Sequence, residues 1–368
     1  MKFSISRDAL LKPLNLVAGV VERRQTLPVL SNVLLSLDGN RLSLTGTDLE
    51  VELVGHITLA QAGESGEVTV PARKLADICK SLPDSGVLEF SLDDQRLSLR
   101  CGRSRFTLST LPASDFPSIE HSPSMVEFAL PQAQLKKLID RTAFSMAQQD
   151  VRYYLNGTLF ELTPKRLRAV ATDGHRLALA TLEADMPGVK ADVHAILPRK
   201  GVLELQRLLQ DPEAEARVSF GGSLFRVTTP DYAFSSKLVD GKFPDYTKVL
   251  PKPAGKSLTA ARSELKDALS RASILSNEKF RGVRLVIEQG GVQILASNQE
   301  QEEAEESVAV DYSGDRVEIG FNVSYLIDVL SVLGGESVRV QFSDGSSSVL
   351  MEDPAVDGAL YVVMPMRL

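Results

Sequence analysis

The sequence predicts an α+β protein of mainly antiparallel sheet, built from three tandem copies of a unit that runs helix, strands, helix, strands. Three observations predict it. First, the stretch from Leu135 to Leu179 can be laid over two other parts of the chain. Upstream, LLKPLNLVAGVVERR is followed by LPVLSNVLLSLDGNRLSLTGTDLEVEL; downstream, LKDALSRASILSNEKFRGVRLVIEQ is followed by GVQILASNQEQEEAEE. Second, the pairs Thr47-Asp48, Thr172-Asp173 and Ser297-Asn298 recur every 125 residues. Third, Pro71-ARKLADICKSL returns as Pro198-RKGVLELQRLL, and Phe116-Pro117 as Phe243-Pro244, each 127 residues on. A period this long belongs to domain-sized copies, not to a short solenoid repeat. A chain of 368 residues is expected to hold two or three domains. The boundaries fall in SIEHSPSM and KPAGKS, which places domains at 1–121, 126–251 and 256–368.

Each copy is expected to open with an amphipathic helix. Leu10, Leu11, Leu14, Val17, Ala18 and Val21 follow the spacing of one apolar face, as do Leu135, Leu138, Ile139, Thr142 and Met146, and Leu265, Leu269, Ala272 and Leu275. Pro13 inside the first pattern predicts a kink or a late start. Alternating hairpins follow, with turns at Asp38-Gly39, Thr163-Pro164 and Gly290-Gly291. Pro71 and Pro198 then mark the start of a second helix, whose third copy is FNVSYLIDVLSVL. Further alternating runs close each copy. Strand edges left by such units invite pairing, and tandem units joined edge to edge build an open array or a closed ring.

Composition describes an ordinary globular chain, 43% hydrophobic and 24% charged. Cys79 and Cys101 follow a helical and a strand pattern and read as core thiols of a reducing compartment. Arg7, Asp8, Lys12 and Pro13 rule out a signal-peptide apolar region, and no run approaches 18 apolar residues, so the expected location is cytoplasmic. The net charge of −7 argues against a simple sticky nucleic-acid binder, but not against positive charge confined to one surface.

Catalytic motifs are absent: no Walker loop, no GxGxxG after a strand, no HExxH, no CxxC. No cofactor or metal is expected. Of the four histidines only His175, in ATDGHRLAL, has a suggestive context, and a hydrolase would pair it with Asp173 and a distant serine. The bland reading is stronger, because Asp173-Gly174 is a turn and its counterparts in the other copies carry no histidine. Positive charge is better placed. Arg73, Lys74, Arg199 and Lys200 fall in the first turn of the second helices, where the helix dipole disfavours cations, so phosphate contact is a reason for them. Arg23-Arg24 end the first helix of the first copy, and Lys12, Lys136, Lys137, Arg141 and Lys266 lie off the apolar faces, although FNVSYLIDVLSVL carries no basic residue. Arg96, Arg100, Arg103 and Arg105 cluster in the first copy, and Glu300, Glu302, Glu303, Glu305 and Glu306 in the last. Opposite signs at opposite ends suit a head-to-tail contact between chains.

Nearly the whole chain resembles the bacterial DNA sliding clamps, the beta subunits of DNA polymerase III. The motifs that carry the resemblance are TLPVLSNVLL, GTDLEVEL, QQDVRYYLNG, ATDGHRLA, KLVDGKFPDY, ILSNEKFRGVRL and the terminal YVVMPMRL. It implies a non-catalytic head-to-tail homodimeric ring of six similar domains. Helices line its hole; it encircles duplex DNA and tethers the polymerase, the clamp loader and other proteins that carry clamp-binding peptides. The resemblance implies that Arg24, Arg73, Gln149, Tyr153, Tyr154, Arg199 and Lys200 face DNA. It implies a subunit interface of Phe106 and Leu108 against Ile274 and Leu275 of the other chain, flanked by Lys74, Arg96, Arg103 and Arg105 and by Glu300, Glu302 and Glu303. It implies a partner-peptide pocket of Leu155, Thr172, Gly174, His175, Arg176, Leu177, Pro244, Val249, Val362, Met364, Pro365 and Met366. Lys248 and Ser346 stand where the family leads one to expect an arginine and a small apolar residue.

Overall fold

The computed structural model describes residues 1–22, 27–119, 126–251 and 255–367. One element order repeats three times. The first copy runs β1 (Lys2–Ser6), α1 (Arg7–Val20), β2 (Asn32–Asp38), β3 (Arg41–Thr47), β4 (Val51–Thr58), β5 (Gly66–Pro71), α2 (Ala72–Ser81), β6 (Val87–Asp93), β7 (Arg96–Cys101) and β8 (Ser104–Ser109). The second runs β9 (Val126–Pro131), α3 (Gln132–Thr142), β10 (Gly157–Thr163), β11 (Arg166–Thr172), β12 (Arg176–Glu183), β13 (Val193–Pro198), α4 (Arg199–Leu208), β14 (Glu215–Gly221), β15 (Leu224–Thr228) and β16 (Tyr232–Lys237). The third runs β17 (Lys256–Ala261), α5 (Arg262–Ala272), β18 (Gly282–Glu288), β19 (Gly291–Ser297), β20 (Glu303–Asp311), β21 (Val317–Asn322), α6 (Val323–Val332), β22 (Ser337–Phe342), β23 (Val349–Glu352) and β24 (Ala359–Val363). Each copy therefore opens with a short strand, which corrects the expectation that it opens with a helix. KFSIS, VEFALP and KSLTAA do alternate, but for too few residues to stand out against the helix that follows.

The chain forms two compact bodies. The first comprises Met1–Leu135, Pro187–Val189 and Lys200–Leu238. It holds a four-stranded sheet, β1-β6-β7-β8, and an eight-stranded sheet, β5-β2-β3-β4-β16-β15-β14-β9. The second comprises Lys136–Met186, Lys190–Arg199 and Val239–Leu368, and holds a twelve-stranded sheet, β13-β10-β11-β12-β24-β23-β22-β17-β20-β19-β18-β21. In each body one antiparallel pair carries the sheet from copy to copy: β4 with β16, and β12 with β24. That pairing satisfies edges that would otherwise expose unpaired backbone groups.

Helix α1 starts at Arg7, with Ser6 capping the Ala9 amide at 3.3 Å. Pro13 does not delay it. Its buried face is Leu10, Leu14, Leu16, Val17 and Val20, with Leu11 and Ala18 only half-buried. It lies so close to β3 that a side chain on Gly46 would meet the Val17 carbonyl at 2.7 Å. The three hairpin turns sit one residue from their expected places, at Gly39-Asn40, Pro164-Lys165 and Gln289-Gly290. Gly39 and Gly290 take φ of 59° and 77°, which a residue with a Cβ adopts only at a cost. Cys79 and Cys101 are free and buried, and burial pushes the Cys79 thiol up to about 11, so it stays protonated and inert. Among the described residues no helix is long and apolar enough to cross a membrane.

Candidate functional site

The β11–β12 turn supplies the first side of a candidate partner site. Gly174 takes φ of 90°, and its amide donates to Thr172 Oγ1 at 3.1 Å. Asp173 Oδ1 accepts from the His175 and Arg176 amides at 2.9 and 3.0 Å, and Oδ2 accepts from Arg176 Nε at 3.1 Å. Asp173 is thus spent on its own turn, an Asx arrangement, and no bond among the described residues links it to the His175 imidazole. The Asp173–His175 pairing that a hydrolase would use is not formed here. The exposed His175 ring stacks instead on Tyr325, with centroids 6.4 Å apart.

Arg176 fastens this turn to the rest of the second body. Its guanidinium donates to Asp328 Oδ2 at 2.5 Å and to the Phe144 carbonyl at 2.8 Å. It lies over the Tyr325 and Phe144 rings, 4.5 and 5.2 Å from their centroids. A side chain this enclosed positions the wall more than it offers itself to a ligand. Arg152 braces the turn from the other side, donating to the Asp173 carbonyl at 3.4 Å. Hydrogen bonds from Arg152 also hold the Asp150 carboxyl down at about 2.

The floor is apolar. Along β13, β10, β11, β12 and β24, register aligns Ile196, Leu159, Val170, Leu179, Leu177 and Val362 on one face. These six belong to one buried cluster with Leu155, Ala147, Phe243 and Tyr246. Pro244 and Val249, chain neighbours of that cluster, are exposed beside it. The tail leaves β24 at Val363; the Met364 amide donates to the His175 carbonyl at 2.9 Å, and Met364 stays 36% exposed. Pro365 then ends the ladder, and the Met366 amide donates to the Gly320 carbonyl at 2.8 Å. The structure thus brings together Leu155, Thr172, Gly174, His175, Leu177, Val362 and Met364. Met366 lines a groove with Phe280, Leu295 and Ala304.

The candidate DNA-facing residues fall into two groups. In the second body, Gln149 is exposed at φ of 56°, and Tyr153 and Tyr154 meet edge-on with centroids 5.8 Å apart. Tyr153 is 58% exposed, whereas Tyr154 packs on the apolar cluster. Arg199 reaches the Met146 carbonyl at 3.5 Å. In the first body, Arg73 and Lys74 stand exposed in the first turn of α2, and among the described residues neither forms an ion pair. Lys200 does: its ammonium bonds Glu22 at 2.8 Å and Asp48. Burial works against its charge, but those two carboxylates hold its pKa above the usual lysine range. Arg24 lies outside the described residues.

This difference is measurable. Each phosphate contact contributes about 0.9 to the slope of log K against log salt. Arg73→Ala is expected to lower that slope by about 0.9, and Lys200→Ala by less than half as much, with no change in base preference. Equal reductions, read by fluorescence titration at several salt concentrations, would show that the carboxylates release Lys200 to DNA.

The candidate subunit faces carry two exposed strand edges. β8 borders the four-stranded sheet. Its Arg105 is exposed, as are Arg103 in the turn before it and Arg96 on β7, and Phe106 is half-buried. Leu108, at 7% exposure, is already buried in its own chain, so Phe106 is the apolar group left for a partner. β20 pairs with β19 from Glu303 to Ala309 but with β17 only at Val310 and Asp311, which leaves its outer edge open. Ile274 is 75% exposed and Leu275 half-buried. Glu300, Glu302 and Glu303 are exposed. Glu306 is not available, because Arg271 of the same chain grips both its oxygens at 2.7 and 2.8 Å.

Sequence reasoning missed the groups that hold the partner site in shape: Phe144, Tyr325 and Asp328 around Arg176, and Tyr246 over the apolar floor. Tyr246 lies inside the motif KLVDGKFPDY, and its place two residues past Pro244 was the one available signal.

Three family models cover the chain. They are described as the N-terminal, central and C-terminal domains of the DNA polymerase III beta subunit and match residues 1–120, 129–245 and 247–367. The beta sliding clamps of Pseudomonas aeruginosa and of Escherichia coli K12 are 58% and 53% identical to it over the whole length of both chains. A crystal structure of a sliding clamp from Pseudomonas aeruginosa bound to griselimycin superposes with a TM-score of 0.97 at 58% identity, again over all of both chains. The DNA polymerase III beta subunit from the same organism superposes at 0.96.

Proposed function

Because this chain belongs to the family of the DNA polymerase III beta subunit, the bacterial sliding clamps, we infer that it is a replication processivity factor and not an enzyme. Two copies join head to tail into a ring that encircles duplex DNA, slides along it and tethers the polymerase and other partners through short peptides. The observation that carries this is the element order repeated three times in a chain that matches clamps from end to end.

The chemistry agrees with that role. A ring that must slide needs loose phosphate contacts and no reading of base edges. Cations such as Arg24, Arg73, Arg199 and Lys200, with Gln149, Tyr153 and Tyr154, are proposed to supply them. The net charge of −7 discourages DNA from binding elsewhere. The open edges of β8 and β20 are proposed to pair between chains, with Lys74, Arg96, Arg103 and Arg105 facing Glu300, Glu302 and Glu303. The wall of Leu155, Thr172, Gly174, His175, Leu177, Pro244, Val249, Val362 and Met364 is proposed to take the peptide, with Arg176 setting the turn, Pro365 ending the ladder and Met366 extending the tail. Domains at 1–121, 126–251 and 256–368 and a cytoplasmic location complete the proposal.

The test is topological. Protein loaded onto closed circular DNA should remain bound through gel filtration at high salt and be lost when the circle is cut. Equal retention on both forms would overturn the ring reading and favour a scaffold that meets DNA only by charge.

A further inference from the structure

A polar row borders the apolar floor. On the same sheet face as Ile196, Leu159, Val170 and Leu179, register aligns His194, Glu161, Arg168 and Thr181 one pleat further along. Tyr246 spans the boundary. Its ring belongs to the apolar cluster of Leu155, Leu177 and Val362. Its hydroxyl donates to Glu161 Oε2 at 2.6 Å and accepts from Arg168 Nη1 at 2.9 Å. Arg168 is itself steadied by Thr181 Oγ1 at 3.0 Å and by Glu161 at 3.7 Å, and His194 Nδ1 stands 3.6 Å from Glu161.

Tyr246 also opens the short helical turn Tyr246–Lys248, and its carbonyl accepts the Val249 amide at 3.1 Å. Phe243 and Leu250 pack against the apolar cluster on either side of the segment that presents Pro244 and Val249, and among the described residues the hydrogen bonds that tie it to the sheet run through that one phenol. Its other local bonds lie within the segment: Asp245 to Thr247, and Asp245 to the exposed Lys248. We propose that Tyr246, held by Glu161 and Arg168, is a positioning residue that latches the Pro244–Val249 wall of the partner-peptide site in its binding form. A wall fixed before binding loses less freedom when a peptide arrives, and a charge-assisted bond at the edge of an apolar site is strong enough to fix it. The proposal rests on the peptide-pocket reading and deepens it.

The test measures affinity for a fluorescein-labelled peptide carrying the clamp-binding segment of the polymerase catalytic subunit, with Met364→Ala as the control for the pocket. Tyr246→Phe keeps the ring and removes the latch; it should weaken the peptide about 5- to 10-fold, mainly by faster dissociation. Dimer mass and retention on circular DNA should not change. Glu161→Gln, which keeps an acceptor oxygen, should lose less affinity than Glu161→Ala; a merely structural role for the row would not order peptide affinity in this way. If Met364→Ala weakens the peptide while Tyr246→Phe binds like the parent, the latch is wrong and the pocket stands. If neither variant changes affinity, the pocket reading falls and the latch with it.

Discussion

A chain lacking residues 364–368 is expected to fold, dimerise and encircle DNA, yet to give no support to polymerase processivity and no hold for the clamp loader. The core strand ends at Val363. Beyond it the described tail makes two backbone hydrogen bonds, from Met364 to His175 and from Met366 to Gly320. Each is worth about 1 kcal/mol, against a domain stability of roughly 5–15 kcal/mol, so folding survives. Met364 stands 36% exposed beside the His175 turn, a soft side chain able to repack around different peptides. Losing such an anchor costs about 2 kcal/mol, or roughly a 30-fold weaker peptide. Primer-extension length on a circular template, beside a melting curve, decides the matter. An unfolded product would mean that the tail serves only the core, and unchanged extension length would sink the pocket.

Ile274→Ala combined with Leu275→Ala is expected to yield monomers at nanomolar concentration. Ile274 is 75% exposed, so its truncation takes little from the fold of its own chain. With Leu108 buried in its own domain, the apolar share of the proposed interface rests on Ile274, Leu275 and Phe106. Two truncations at about 2 kcal/mol each weaken each of the ring's two equivalent interfaces by roughly a thousandfold. The surrounding arginine and glutamate pairs are exposed and screened by salt, so they steer the approach more than they hold the ring. Sedimentation at nanomolar protein measures this, and an unchanged dimer mass would place the interface elsewhere. Retention on circular DNA should fall in the same variant.

The helices and most strands were legible because their signals are local. Leu10, Leu14 and Val17 announce a helix face from within eight residues, and both second-helix prolines stand one residue before the helices they predict. Misses came where two local signals compete. β1, β9 and β17 each abut a longer helix whose apolar period takes over the reading. The hairpin turns moved by one residue because strand register, not the identity of a single glycine or proline, sets where a loop begins.

The sequence by itself determined the threefold repetition, the α+β class, the lack of catalytic motifs and the family, since each is written in the order and spacing of neighbouring residues. Tertiary structure alone decided which of the charged and polar groups are free to act. Lys200 finds Asp48 and Glu22 across separations of 152 and 178 residues, and Tyr246 finds Glu161 across 85. Glu306 is taken by Arg271, and the Met366 amide finds the Gly320 carbonyl. The physical reason is the sheet. A two-residue period says which face a side chain takes, but its neighbour on that face depends on which strands pair and in what register, and that is settled only when distant segments meet.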